Sequence, residues 1–232
     1  MPRSPAIILD HVDIAYAKGL QFFSSKKTWV IQDVTLEIEH GETLGILGKN
    51  GAGKSTLLKL LAGMILPDKG CITFNVDRVS LLALQVGFLE HLNGRENVVL
   101  SAMFMGLSKK EILSKMDRVV NFSGIAEYID KPVSTYSAGM KARLGFSVAF
   151  HVDADVILVD EVIAVGDAEF KKAARLAMRE KISAGKAAVI VSHDFALLRE
   201  WCDRLVWLDK GRIIQAGEPD EVILAYQKSL RV

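Results

Sequence analysis

Residues 48–56 combine glycines, a lysine and hydroxyl side chains at a spacing that suits phosphate binding. They read GKNGAGKST and fit the pattern GxxxxGK[ST] between an expected strand and an expected helix. Glycines let successive backbone N–H groups turn toward phosphate oxygens, and the helix N-terminus adds partial positive charge. Lys54 is predicted to reach the β- and γ-phosphates of a nucleotide, and Ser55 to offer its hydroxyl to Mg²⁺. The predicted nucleotide-binding residues are Gly48, Lys49, Asn50, Gly51, Ala52, Gly53, Lys54, Ser55 and Thr56.

Three further polar side chains follow apolar segments that we expect to be buried strands. Asp160 and Glu161 come directly after VILV at 156–159, and His193 follows AAVIV at 187–191. Ligands of open α/β sheets bind beyond the carboxyl ends of the strands, so Asp160 is predicted to hold Mg²⁺ through water. Glu161 can orient and deprotonate an attacking water, with a solvated glutamate as the alternative. His193 can donate to a γ-phosphate, with a core or helix-capping histidine as the alternative.

Short apolar segments alternate with helical patterns around these residues. Fully apolar strands that alternate with helices indicate an α/β fold with a parallel sheet covered on both faces. The expected strands are 43–47, 156–159 and 187–191, and the expected helices are 54–64 and 168–183. Other segments favour antiparallel pairing: strands at 7–16 and 34–39, and a hairpin of 205–208 with 212–214.

The middle of the chain has helical spacing instead. A capping box at 108–111 begins one helix, whose apolar positions fall on one face. These positions are Ile112, Met116, Val119 and Val120. We therefore expect one domain over 1–232, in which a helical subdomain at approximately 89–154 is inserted into the α/β core.

Composition narrows the class of protein. The chain has 232 residues, 50% of them apolar, and a net charge of +1. The balanced charge excludes the basic surface expected of a nucleic-acid binder, and no apolar run reaches the roughly 20 residues of a membrane span. Cys71 and Cys202 are expected to be buried thiols rather than a disulfide. The high apolar fraction predicts that partners cover part of the surface.

Ser137, Ala138 and Gly139 form a second candidate phosphate-binding turn, placed before an expected helix at 142–150. A Ser-x-Gly turn at a helix N-terminus offers backbone N–H groups and partial positive charge to an anion. The loop at 48–56, Asp160, Glu161 and His193 are by themselves compatible with either a Mg²⁺-dependent nucleotide hydrolase or a kinase. The second turn favours a nucleotide hydrolase whose nucleotide is held between two copies, because a kinase has no use for it.

With these motifs the whole chain resembles the nucleotide-binding subunits of ABC transporters. Residues 137–141 stand at the place of the signature motif LSGGQ and keep its serine and second glycine. Asp167 matches the D-loop, and His193 the switch histidine. Tyr16 matches the aromatic residue that stacks on adenine. Gln85 is the candidate Q-loop glutamine, a catalytic residue and Mg²⁺ ligand in this resemblance.

Longer strings resemble one branch, the ABC exporters of O-antigen, capsule and teichoic acid. The strings that carry this likeness are 93–97, 135–144 and 160–170. The resemblance implies a P-loop NTPase (RecA-like) core with an antiparallel β subdomain and an inserted α-helical subdomain. It also implies ATP and Mg²⁺ as cofactors. A lengthened loop at 17–28 suits this branch, and the end at Val232 leaves out the C-terminal carbohydrate-binding domain of some members.

The resemblance also implies partners. Two copies would face head to tail, each ATP lying between one copy's residues 48–56 and the other copy's Ser137 and Gly139. An integral membrane subunit, in two copies, would carry a lipid-linked glycan, which places the chain at the cytoplasmic face of the bacterial inner membrane. Phe88, Leu89 and 103–105 would border the docking groove, with a plain core role as the alternative. Export of another substrate and a non-transport ABC ATPase remain the other candidate functions.

Overall fold

A computed structural model describes residues 4–17, 27–82, 87–160 and 166–230. The chain divides into two compact units. The first, the core unit, takes in residues 1–79, 155–161 and 182–232, and the second, the helical unit, takes in 80–154 and 162–181. A short strand, β5 (Val79–Leu81), spans the boundary between them.

An antiparallel sheet in the order β2-β1-β4 forms one part of the core unit. Its strands are β1 (Pro5–Ala17), β2 (Lys27–Glu39) and β4 (Lys69–Phe74). Alternate residues of β2 are buried, as the sequence pattern at 34–39 predicts. The pairing of β1 with β2 continues through Tyr16–Thr28 and Ala17–Lys27. The loop predicted at 17–28 is therefore shorter, because the ladder extends into both of its ends; 18–26 lie outside the described residues.

A larger sheet contains β6-β7-β3-β8-β9 in that order. Its strands are β3 (Thr43–Leu47), β6 (Val156–Asp160), β7 (Ala187–Val191), β8 (Arg204–Asp209) and β9 (Arg212–Gly217). The first three are parallel and almost wholly buried. Strand β8 pairs in parallel with β3 and forms the predicted antiparallel hairpin with β9. The helices of this unit are α1 (Lys54–Leu61), α6 (Phe195–Trp201) and α7 (Pro219–Ser229).

Two predictions for the core unit are wrong in detail. Helix α1 ends at Leu61 rather than at residue 64, because Gly63 adopts a left-handed φ of 68° that breaks the helix. Cys71 is exposed, since it lies on the edge strand β4. Cys202 is buried as predicted, and its burial raises the pKa of the thiol to about 12.

The helical unit contains α2 (Gly94–Phe104), α3 (Lys109–Ser123), α4 (Ala138–Phe150) and most of α5 (Ala168–Ser183). The predicted capping box begins α3: Ser108 N donates to Glu111 Oε2 at 2.6 Å, and Glu111 N donates to Ser108 Oγ at 3.3 Å. The predicted apolar face of α3 is buried in the unit's core. The unit extends beyond the predicted 89–154 because α5 packs Phe170 against Phe122 and Phe146.

His151, at the end of α4, gives the folded chain a pH dependence. Its Nδ1 lies 2.7 Å from Ser147 O, and burial lowers the pKa of the ring. An unfolded histidine titrates near pH ~6.5, so the unfolded chain binds more protons once the pH falls below that value. We expect thermal stability to decline as the pH falls from neutral through this window, and to decline less in His151→Gln, measured as Tm against pH.

His11 is the matched comparison, because its contribution to stability changes with pH in the opposite direction. Its hydrogen bond with Asp33, at 2.7 Å, raises the pKa of the ring, so its contribution is present at low pH and is lost as the pH rises through the folded pKa. His11→Gln should therefore lower Tm more at acidic than at alkaline pH. Equal pH profiles for the wild type and His151→Gln would contradict the assignment to His151.

Candidate functional site

The glycines at 48–53 lie where the backbone needs them. A β-carbon at Gly48 would stand 2.2 Å from Leu208 O, and one at Gly53 would stand 2.8 Å from Val30 O. Gly51 and Gly53 have left-handed φ angles of 80° and 107°. These clashes and angles exclude larger side chains, so the loop closes tightly between β3 and α1. An N-cap glycine also leaves the first turn of α1 without a side-chain cap, the arrangement found where a bound anion serves as the cap.

The Lys54 ammonium group lies inside this loop. The side chain is only 8% exposed, and Nζ donates to Gly48 O at 2.7 Å and to Lys49 O at 3.1 Å. The loop is closed by Ala52 N, which donates to Lys49 O, and by Gly211 N, which donates to Ala52 O. A buried cation within a ring of backbone groups fits the phosphates of a nucleotide.

The other loop residues differ in exposure. Ala52 is buried and Thr56 is half-buried, whereas Lys49, Asn50, Gly51 and Ser55 are exposed. Ser55 begins the first turn of α1 beside Lys54, so its hydroxyl remains accessible to a metal ion at the edge of the loop. The residues present therefore fit a bound Mg²⁺-nucleotide.

The sheet brings Asp160 to the same edge as this loop. In the parallel register, Ile46 pairs with Val191, and Val191 pairs with Asp160. Because β7 separates β3 from β6, Asp160 lies two strand spacings, about 10 Å, from the end of β3. That separation leaves room for a phosphate group and a hydrated cation between Asp160 and the loop.

His193 follows β7 at this edge and is exposed. Asp194 caps α6 instead, since its Oδ1 accepts from Ala196 N at 2.9 Å and from Leu197 N at 3.1 Å. The core and helix-capping alternatives for His193 are therefore excluded. Its role toward a phosphate stays a prediction.

Tyr16 lies near the end of β1 and is 43% exposed. It pairs with Thr28 of β2, two residues before Val30, whose carbonyl approaches Gly53. An exposed aromatic ring close to the loop suits base stacking. Trp29, 38% exposed on β2, is not a second such ring: it pairs with Ala15, so it lies on the opposite face of the ladder, where Lys69 Nζ is 4.8 Å from the centre of its ring.

The second turn caps a helix in the helical unit. Helix α4 begins at Ala138, not at 142, because Ser137 Oγ accepts from Met140 N at 3.2 Å and starts the helix earlier. Gly139 is exposed, and a β-carbon there would stand 3.8 Å from Ser137 Oγ. Tyr136 is buried and its hydroxyl donates to Tyr128 O at 2.7 Å, which anchors the turn.

The remaining predicted site residues are Asp167, Gln85 and Glu161. Asp167 Oδ1 accepts from Phe170 N at 2.9 Å at the start of α5. Gln85 and Glu161 lie outside the described residues. Within the described ranges no three His, Cys, Asp or Glu side chains cluster as a metal site.

Comparisons with known proteins agree with this geometry. The profile of the ABC transporter family matches residues 31–164, more than half of the chain. A teichoic acids export ATP-binding protein of Lactococcus lactis is 43% identical over 88% of this chain and 44% of its own length. An O-antigen export system ATP-binding protein of Myxococcus xanthus is 40% identical over 86% of this chain and 46% of its own length. The chain therefore spans less than half the length of these two relatives.

A third relative is matched over most of its length. It is an O-antigen export system ATP-binding protein of Klebsiella pneumoniae, 38% identical over 92% of this chain and 87% of its own length. Among solved structures, a dimeric ATP-binding cassette with ADP and Pi has a TM-score of 0.74 at 20% identity, covering 92% of this chain and 98% of its own. An ABC transporter ATP-binding subunit has a TM-score of 0.76 at 23% identity, covering 96% and 93%. These structures confirm the predicted fold.

Proposed function

Because the chain belongs to the ABC transporter family, we propose that it binds and hydrolyses ATP to drive export of a lipid-linked surface polysaccharide. The observation that carries ATP binding is the loop at 48–56, where two glycines without room for a β-carbon enclose a buried lysine. The polysaccharide is supported by the relatives named for teichoic acid and O-antigen export.

The proposed chemistry assigns one role to each predicted site residue. Lys54 and the backbone of the loop bind the β- and γ-phosphates, and Tyr16 stacks on the base. Ser55, Asp160 and Gln85 would hold Mg²⁺, which would neutralise developing charge on the phosphate oxygens. Glu161 accepts a proton from the attacking water, and His193 donates to the γ-phosphate.

A second copy would complete each site. Ser137 and Gly139 are exposed at the N-terminus of α4, so a γ-phosphate held by the partner copy can reach the helix end. ATP then lies between two copies, its binding closes the dimer, and hydrolysis removes the charge that holds it closed. The net charge of +1 accords with a local anion site and gives no support for nucleic acid as a partner.

An apolar groove on the helical unit is the proposed docking surface for the membrane subunit. It encloses a cavity of about 600 Å³ between α2 and the start of α3, lined by Leu92, Arg95, Glu96, Val99, Leu100, Met103, Lys109, Leu113 and Met116. Met103 is 49% and Phe104 66% exposed, so the plain core role is wrong for both, although Phe88 and Met105 pack on the core. In the part of the chain that the structure describes, no helix is long and apolar enough to cross a bilayer.

We expect Met103→Glu to remove the membrane subunit from the purified complex, because docking would take water away from a carboxylate placed on this exposed apolar position. The measurement is the amount of membrane subunit that co-purifies with the tagged chain in mild detergent. Leu224→Glu is the matched control, since Leu224 is 53% exposed on α7 of the core unit. Equal recovery with both variants would contradict docking at this groove.

The experiment that tests the function is deletion of the gene and complementation. Loss of the chain should leave lipid-linked glycan on the cytoplasmic leaflet of the inner membrane, where a membrane-impermeant oxidant cannot reach it in intact cells. The wild-type gene should restore surface glycan, whereas Lys54→Ala should not. An unchanged surface glycan after deletion would assign the ATPase to another substrate.

A further inference from the structure

The ion pair between Arg143 and Asp167 joins α4 to the start of α5. Arg143 Nη2 contacts Asp167 Oδ2, while the other oxygen of the same carboxylate, Oδ1, accepts from Phe170 N at 2.9 Å. The guanidinium carbon of Arg143 lies 5.3 Å from the centre of the Phe170 ring. The Asp167 carboxylate is thus held from two sides, and the cation that holds it also lies over an aromatic ring.

Backbone geometry brings the two segments together. Gly166 has a φ of 79°, and a β-carbon there would stand 3.0 Å from Phe170 Cδ1 and 3.3 Å from Arg143 Cγ. The glycine therefore allows the chain before Asp167 to pass close to the Arg143 side chain. Phe170 is itself fixed, because its ring packs edge-on against Phe122 at 5.9 Å and Phe146 at 5.8 Å.

Arg143 lies on the helix that presents the second phosphate-binding turn. Helix α4 is capped by Ser137, and Gly139 is four residues before Arg143, so Gly139 and Arg143 share one face of the helix. One arginine therefore connects the turn at Ser137 and Gly139 with Asp167. All of these residues belong to the helical unit, whereas the loop at 48–56 belongs to the core unit.

We propose that Arg143 is a positioning residue that holds Asp167 in a fixed place relative to Ser137 and Gly139. The three residues then meet the nucleotide site of the second copy as one rigid surface. This inference rests on the proposed head-to-tail dimer. A lysine cannot replace the arginine fully, because only a planar guanidinium can form the ion pair with Asp167 and stack on Phe170 at the same time.

The test compares Arg143→Ala, Asp167→Asn and the double variant. Asp167→Asn keeps one oxygen that can accept from Phe170 N and removes the charge and the second acceptor oxygen that Arg143 binds. Misplacement of a catalytic surface by about 1 Å costs up to about a hundredfold in rate. We expect each single variant to lower the kcat of ATP hydrolysis by about tenfold or more, the double variant to lower it no further, and Arg143→Lys to recover part of it.

The affinity of the chain for a fluorescent ATP analogue should stay within about twofold of the wild type, because the loop at 48–56 lies in the other unit. Arg199→Ala is the matched control: Arg199 Nε contacts Asp220 Oδ1 at 2.7 Å in an exposed pair of the core unit, and its loss should leave kcat unchanged. Additive losses in the double variant, or a lower Tm with an unchanged kcat, would overturn the positioning role.

A second readout separates this inference from the proposed function. Hydrogen exchange at the Phe170 amide, which donates to Asp167, should speed up in Arg143→Ala and not in Arg199→Ala. If the wild type had no ATPase activity but Arg143→Ala still sped up exchange at Phe170, the proposed function would be refuted and the Arg143–Asp167 contact would stand. Unchanged exchange at Phe170 would refute the contact itself.

Discussion

Lys54→Ala is expected to lower ATP turnover by about a hundredfold or more, on the scale of removing one preorganised donor from a buried site. Lys54 is only 8% exposed, and its ammonium group donates to two loop carbonyls. Alanine removes both the charge that meets the phosphates and the contacts that keep the loop folded around them. Nucleotide affinity should therefore fall together with the rate.

The measurement is steady-state ATP hydrolysis with a titration of a fluorescent ATP analogue. Lys59→Ala is the matched control, because Lys59 belongs to the same helix but is exposed in its last turn. It should retain wild-type affinity and rate. Wild-type turnover in Lys54→Ala would show that the nucleotide is bound elsewhere.

Local patterns predicted the parts of this site that depend on neighbouring residues. The GxxxxGK[ST] string gave the loop, its glycines and Lys54, because their roles follow from backbone angles and spacing within nine consecutive positions. The strand ends at Asp160 and His193 followed from apolar runs, since a parallel sheet aligns the carboxyl ends of its strands. The structure agrees with both placements.

Contacts between distant segments were not predictable in the same way. Val30 and Leu208 close the loop with backbone carbonyls, which any residue type can supply. The contact between Arg143 and Asp167 joins residues in separate motifs, and the sequence of neither motif predicts that it contacts the other. The membership of α5 in the helical unit likewise depends on Phe170 meeting the rings of α3 and α4, which helical periodicity alone does not reveal.

The division into two units bears on how ATP would act as a switch in the proposed dimer. The phosphate loop, Asp160 and His193 belong to the core unit, whereas Ser137, Gly139 and Asp167 belong to the helical unit. In the proposed dimer, each ATP therefore joins the core unit of one copy to the helical unit of the other. Loss of the γ-phosphate would remove the group that both copies bind. The closed dimer would then lose the binding free energy by which ATP favours it over the open state.

Glu161→Gln is expected to separate binding from chemistry. The amide keeps the shape of the carboxylate but cannot accept a proton from water, so hydrolysis should fall by about a hundredfold to ten-thousandfold, the usual contribution of a general base. The loop and Lys54 are untouched, so ATP should still bind. Since bound ATP holds the proposed dimer closed and is no longer consumed, the closed dimer should accumulate.

The measurement is the molar mass of the chain with ATP and Mg²⁺ by light scattering, beside the rate of phosphate release. Glu180→Gln, an exposed change on α5, is the control and should stay monomeric after turnover with a normal rate. Lys54→Ala should be slow and monomeric, whereas Glu161→Gln should be slow and dimeric. Wild-type hydrolysis in Glu161→Gln would remove Glu161 as the base.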